Sequence, residues 1–226
     1  MPRAASTAAT HPARTPLSRE RVLAAAIELA DEAGIGALTM RRLAQELGVE
    51  AMTLYYHVAN KPALLKGMVD LVESEIELPT PGRAWKAELR RTAMSAYDAL
   101  IRHPWAAPLV LTQSGDSVTR LRYMDGILGT LRVAGFSADL TDHAYHALES
   151  HIMGFTLWEV GMNLGTREDV EALASGFLAS LPTSEFPHLA EHVLQHLKPR
   201  NPDDEGEFAF GLDLILDGLE RMLATG

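Results

Sequence analysis

Residues 38 to 58 of this 226-residue chain place side chains with nucleic-acid chemistry at regular intervals. Arg41 and Arg42 carry guanidinium groups that can pair with phosphate or with a guanine edge. Thr39 stands one turn before them and adds a hydroxyl. Downstream, Leu43, Ala44, Leu47, Val49, Leu54 and Val58 have the spacing of a buried side, so Ala51, Met52, Thr53, Tyr55, Tyr56 and His57 are left for solvent. That is an unusual set to leave wet. Tyrosine and threonine hydroxyls reach phosphates and base edges, while a methyl or thioether group suits the thymine methyl. The competing reading packs Tyr55 and Tyr56 against neighbouring helices and leaves the arginines as solvated charges.

Histidine offers a second chemistry. His188, His192 and His196 share one helical face, and His143 and His146 form a shorter pair. Two imidazoles one turn apart can hold zinc. No carboxylate completes an obvious set, although Glu185 and Glu191 are near, so no metal is expected. The chain has no cysteine, which removes zinc-finger and thiol chemistry. It also has no glycine-rich phosphate loop, nucleophile elbow or His-Glu-x-x-His motif, so neither an enzyme nor a cofactor is expected.

The elements that carry these residues read as helices throughout, which makes the fold class all-α. Ser18 caps a first helix that Gly34 and Gly36 end. Thr39 caps a second, closed by Gly48, and Ala44 must be small where two helices cross. A short third helix spans 50–57. Asn60 caps a fourth, with Pro62 in its first turn, reaching about residue 77. A helix, a short turn and a second short helix is the arrangement of a helix-turn-helix. Pro79-Thr80-Pro81-Gly82 is the one clear linker. Beyond it, apolar periodicity predicts helices at 85–103, 105–113, 117–134, 138–164, 168–180, 185–197 and 206–224. The expected organisation is an arm at 1–16, a three-helix reading domain at 17–77, a linker at 78–84 and a helical ligand-binding and dimerisation domain at 85–226.

Charge divides the same way. Residues 1–66 carry 8 basic and 6 acidic side chains, against 12 and 24 in the remainder, within a net charge of −10. An acidic body repels phosphate and orients a near-neutral head toward it. The first sixteen residues contain Arg3 and Arg14 but no apolar stretch of a secretory signal, and read as a disordered arm. No run of 18 apolar residues exists, so no membrane span is expected, and a cytoplasmic location fits.

The segments Ala37-Leu38-Thr39, Arg42-Leu43-Ala44, Leu47-Gly48-Val49, Thr53-Leu54-Tyr55-Tyr56-His57-Val58 and Asn60-Lys61 resemble the TetR (tetracycline-repressor) family of transcriptional regulators. The resemblance covers residues 18–77. It implies that the first three helices read a double-stranded DNA operator and that Lys61 anchors a phosphate, where the start of the fourth helix adds its dipole. His103, Gly135-Phe136-Ser137, Gly154-Phe155-Thr156-Leu157 and residues 210–220 resemble the family's tetracycline-repressor type of C-terminal domain. This implies a homodimer through a four-helix bundle and a small-molecule effector in the body. The apolar stripe Leu212, Ile215, Leu216, Leu219, Met222 and Leu223 on the last helix is the expected dimer interface, because a stripe there needs a cover.

For the effector, the expected lining is Thr92, Ala96, Val110, Met124, Ile127, Leu128, His151, Phe155 and Trp158, with Glu159 and Gln113 as further polar contacts. Where the tetracycline repressor holds the drug and its magnesium, the matching positions are Thr92, Ala96, Val110 and Gly154. The metal-binding imidazole is gone, which implies a more lipophilic ligand without magnesium. Ala51 and Met52 replace a polar amide and a proline, which implies a different operator. The alternative is a helical protein–protein adaptor with a vestigial head, for which Arg41, Thr53, Tyr55 and Lys61 would be dispensable.

Overall fold

The architecture is given by a computed structural model describing residues 16–112, 117–162, 167–198 and 205–225. Most of the expected arm and the polar candidate Gln113 lie outside these residues. Among the described residues every regular element is helical. Their contacts separate into two units, one through Met68 and one from Val69 onward.

The first unit begins with α1 (Arg19–Ala33), whose first turn is closed by the Ser18 hydroxyl accepting from the Arg21 N–H at 3.3 Å. Gly34 ends it at φ 77°, a left-handed value that a side chain would strain. A 3-10 turn, Ile35–Ala37, leads to α2 (Met40–Leu47). Thr39 Oγ1 accepts from the Arg42 N–H at 3.1 Å, so the expected cap is in place. Gly48 closes α2 in the left-handed region, φ 64°, and Val49 N–H returns to the Ala44 carbonyl at 2.9 Å. The next helix, α3 (Ala51–Leu54), is shorter than expected. Tyr55, Tyr56 and His57 continue it as turns whose N–H groups reach back three residues, to Met52, Thr53 and Leu54. This is the tighter winding common at helix ends.

Asn60 Oδ1 accepts from the Ala63 N–H at 2.8 Å and starts α4 (Lys61–Ser74). Val22, Leu23, Ala26, Leu29, Leu38, Leu43, Leu54, Val58 and Leu64 are the buried core of this unit. Gly67 faces α1 so closely that an added Cβ would stand 2.8 Å from Leu23 Cδ2. The end of α4 at Ser74, short of the expected 77, has a local cause. Glu75 and Ile76 N–H bond to the carbonyls three residues back, which tightens and closes the last turn.

The second unit contains α5 (Trp85–Arg102), α6 (Ala106–Thr112), α7 (Val118–Val133), α8 (Ala138–Met162), α9 (Arg167–Ser180), α10 (Pro187–His196) and α11 (Glu207–Thr225). α8 is the central post, with α5, α6, α7 and α11 packed on it, and α9 and α10 pair with each other. The proline-rich stretch is pinned rather than loose. Thr80 N–H donates to Glu88 Oε2 at 2.7 Å, and Arg91 bonds the same oxygen at 2.7 Å. Together, Arg91 and the Thr80 N–H hold the Glu88 carboxyl down at about 2.

The crossing of α8 and α11 has no spare room. His151 Nε2 lies 2.9 Å from the Phe208 carbonyl oxygen as a hydrogen bond, and its ring stacks on Phe208 with centroids 4.8 Å apart. A Cβ at Gly211 would meet His151 Cε1 at 2.5 Å. Gly211→Ala therefore displaces the imidazole and lowers stability by about 1–3 kcal/mol, the usual cost of overpacking. Urea unfolding of the variant beside His151→Ala/Gly211→Ala measures it, and the double variant recovers part of the Gly211→Ala loss.

Candidate nucleic-acid interface and ligand recess

In the first unit Leu54 turns inward, fully buried, and anchors α3. The opposite side of the same turn is open. Met52 is 71% exposed, Tyr56 87% and Tyr55 45%, with Ala51, Thr53 and His57 half-buried beside them. A solvent-facing thioether and two phenols on one short turn cost free energy unless something covers them. Arg41 and Arg42 are both exposed on α2. Thr39 is exposed, but its hydroxyl is committed to the α2 cap, so its first role is structural. Leu47 and Val49, expected in the core, are only half-buried.

Lys61 is placed differently from a free phosphate anchor. Its Nζ donates to the Leu38 carbonyl at 2.7 Å and so ties the start of α4 to the residue that follows the 3-10 turn. An ammonium has three donors, and two remain for an anion. Lys61→Ala is therefore expected to act twice. It should weaken DNA binding nearly uniformly across sequences, with the salt slope reduced by roughly one. It should also lower head stability by about 1 kcal/mol, through the lost bond to Leu38. Salt titration of fluorescence anisotropy measures the first effect and thermal melting the second.

The second unit holds a narrow recess of about 10 Å³, room for roughly one water, where residues 72–76 meet α5, α6, α7 and α8. Ala96, Leu100, Val110, Ile152 and Met153 are among its apolar walls. Of the nine lining residues expected from sequence, two, Ala96 and Val110, are among its walls. Thr92 and Ile127 are buried elsewhere in the core, while Met124, Leu128, His151 and Phe155 are half-buried away from the recess. Trp158 is 53% exposed. Phe155 belongs instead to an aromatic group with Tyr97, Phe208 and Trp158, in which Tyr97 stacks on Phe208 at 4.0 Å and its hydroxyl bonds Glu159.

Sequence reasoning missed the polar end of the recess. Glu73 follows the apolar Val72 near the end of α4, Arg120 and Tyr123 lie on α7, and Glu149 lies on α8. Arg120 bonds Glu149 at 2.6 Å and stands 3.5 Å from Glu73, and the Tyr123 hydroxyl donates to Glu149 at 2.6 Å. The guanidinium carbon also lies 5.1 Å from the Tyr123 ring centre. Burial, and then the Glu149 charge, push Tyr123 well above its ordinary range and bring Tyr145 up to about 12. Helical spacing pairs Arg120 with Tyr123 on α7 and Tyr145 with Glu149 on α8, but only tertiary structure brings these pairs and Glu73 together.

Half of the expected dimer stripe faces inward. Leu212, Leu216 and Leu219 are buried within their own subunit, against α5 and α8, so a partner is not what covers them. Ile215 and Leu223 are half-buried. The open apolar positions of α11 are Phe210, Leu214 and Met222, four or eight residues apart and 55–65% exposed. Only Met222 is shared with the expected set. The neighbouring α8 is also open at Trp158 and Met162.

On α10, His188, His192 and His196 are exposed, with the His192 and His196 Nε2 atoms 3.5 Å apart. Among the described residues no group of three or more metal-ligating side chains converges. No helix among them is long and apolar enough to cross a membrane.

Comparison with known proteins joins the two units. Residues 22–68 match the family of bacterial regulatory proteins, tetR family, and residues 78–223 match the tetracyclin repressor-like C-terminal domain. The chain is 37% identical to the class D tetracycline repressor protein of Escherichia coli over 220 residues, 92% of each chain. Its fold is similar to ActR of Streptomyces coelicolor in complex with actinorhodin, at a TM-score of 0.70 and 28% identity, covering 92% of this chain and 99% of that one. It is also similar to BioQ bound to its double-stranded DNA operator, at 0.63 and 28%, covering 91% and 99%. With a helix-turn-helix head and a repressor-type helical body, both matched along nearly their full length, the chain belongs to the TetR family of bacterial transcriptional regulators.

Proposed function

We propose that this protein is a homodimeric repressor that binds a palindromic operator and lets go of it when a small, largely apolar molecule enters the body. The observation that carries the reading is the open turn of Met52, Tyr55 and Tyr56, three large apolar side chains displayed beside exposed Arg41 and Arg42. A surface of that kind suits base edges and thymine methyls flanked by phosphate. Two such turns held about 34–36 Å apart read successive major grooves. Ala51 has no hydrogen-bonding group, so the operator differs at that position from one read by a polar amide. Enrichment from a random DNA pool tests the reading, with an inverted repeat as the expected product.

The recess behind Ala96 is the proposed effector site, narrow in this structure and widened by the molecule that enters it. A ligand shifts the DNA-binding equilibrium only by its differential affinity for the two states. α4 contributes residues to both units, and its last turn lines the recess, which makes it the proposed lever. Ala96→Val fills the space. The variant is expected to hold its operator as tightly as the wild type while losing its response to effector, with no magnesium requirement in either protein. Operator release followed by anisotropy across a compound set measures this, and a wild type that responds only to a magnesium–tetracycline complex contradicts it.

A further inference from the structure

The chain has no cysteine, so its oxidisable sulfur is held in nine methionines. The structure sorts these by access. Met68 and Met153 are buried, at 0% and 8% exposure, and Met40, Met94 and Met124 are half-buried. Met162 and Met222 are open on the face where a second subunit is expected. Met52 is the most exposed of the described methionines, at 71%, and of the open ones it alone lies in the first unit. We propose that Met52 is a modification site: a peroxide oxidises its thioether to the sulfoxide, and the sulfoxide weakens the hold on the operator. The inference rests on the α3 turn being the surface that reads DNA.

Access is what the chemistry requires. A lone pair on sulfur attacks one oxygen of hydrogen peroxide, the O–O bond breaks, that oxygen stays on sulfur and the rest leaves as water. Sulfur gives up two electrons and the peroxide takes them, so no further reactant is needed. The buried Met68 and Met153 offer no such approach. Met52 does, because α3 is anchored inward by Leu54 alone and its outer side carries Tyr55 and Tyr56, which are exposed themselves. A side chain this far into solvent adds little to the core, so its oxidation leaves the head folded.

The consequence follows from what the group meets on DNA. A thioether is apolar and suits a thymine methyl. A sulfoxide is polar, and its oxygen accepts hydrogen bonds. Pressed against a methyl group, that oxygen loses its water and gains no donor, which costs free energy. The loss is counted twice on an inverted repeat, once in each half-site.

Hydrogen peroxide added to the full-length protein tests this. Peptide mass spectrometry reads one added oxygen at each methionine, and anisotropy reads affinity for the duplex enriched from a random pool. Met52 is expected to gain oxygen well before Met68 and Met153, and affinity to fall about tenfold or more in step with it. Treatment with the two methionine sulfoxide reductases, one for each epimer, should restore binding. Met52→Leu keeps an apolar contact without sulfur, so it should bind the same duplex and keep its affinity through the peroxide step. A Met52→Leu variant that loses affinity as the wild type does places the loss at another residue and overturns the inference. Oxygen uptake at Met52 with no change in affinity, or no uptake ahead of the buried methionines, overturns it too. Bound duplex should shield Met52 from peroxide. Equal oxidation with and without duplex would mean that the turn does not face DNA, and the reading on which this inference rests would fall with it.

Discussion

Leu214→Glu combined with Met222→Glu will leave a folded subunit that no longer pairs and no longer holds its operator. Both side chains are more than half exposed on α11, so a glutamate there reaches water and the subunit core is untouched. In a dimer the same positions, with Phe210 and with Trp158 and Met162 of α8, would be covered by their copies, since a two-fold interface is self-complementary. Four carboxylates in such a contact cannot be accommodated. Losing the dimer removes the second half-site from every binding event, and a factor of about 10²–10⁴ in affinity is at stake. Sedimentation should show a monomer with wild-type circular dichroism, and anisotropy should show operator binding reduced to the non-specific level. Leu216→Glu is the contrasting case. That side chain is fully buried in its own subunit, so the substitution is expected to unfold the body rather than dissociate it.

The second large effect is on stability. Arg120→Ala removes the one guanidinium that lines the recess and takes the cationic partner from Glu149, which sits in a setting with little water. Breaking a buried pair from one side costs about 3–5 kcal/mol. Guanidinium chloride unfolding of the second unit should record a loss of that order. Arg120→Met combined with Glu149→Leu should lose much less than the two single changes together, because the double variant removes both members of the closest buried pair. Additive losses would show that the two groups act independently.

The sequence made the helices legible because apolar spacing and caps agree in this chain. Ser18, Thr39, Gly48 and Asn60 each sit where a helix begins or ends. Two features were not legible, for different reasons. α11 is apolar on almost every side, with Phe208, Phe210, Leu212, Leu214, Ile215, Leu216, Leu219 and Met222 along it. Periodicity finds such a helix but cannot fix its phase, and half of the stripe chosen from sequence was turned toward the subunit's own core. The charged end of the recess joins residues 73, 120 and 149, which are separated by whole helices. A search for aromatic and apolar side chains leads instead to Phe155 and Trp158, which belong to a different aromatic group. The reading turn was visible because its signal is local: six positions left over once the buried face is assigned.

The central claim is that a symmetric pair of α3 turns reads DNA. The most direct measurement is the stoichiometry and salt dependence of wild-type binding to the duplex that the protein enriches from a random pool. Two subunits per inverted repeat are expected, with log K falling linearly against log salt and the Tyr56→Ala variant losing sequence preference while keeping most of that slope. One subunit per site, or a Tyr56→Ala variant that enriches the same sequence as tightly as the wild type, would contradict it.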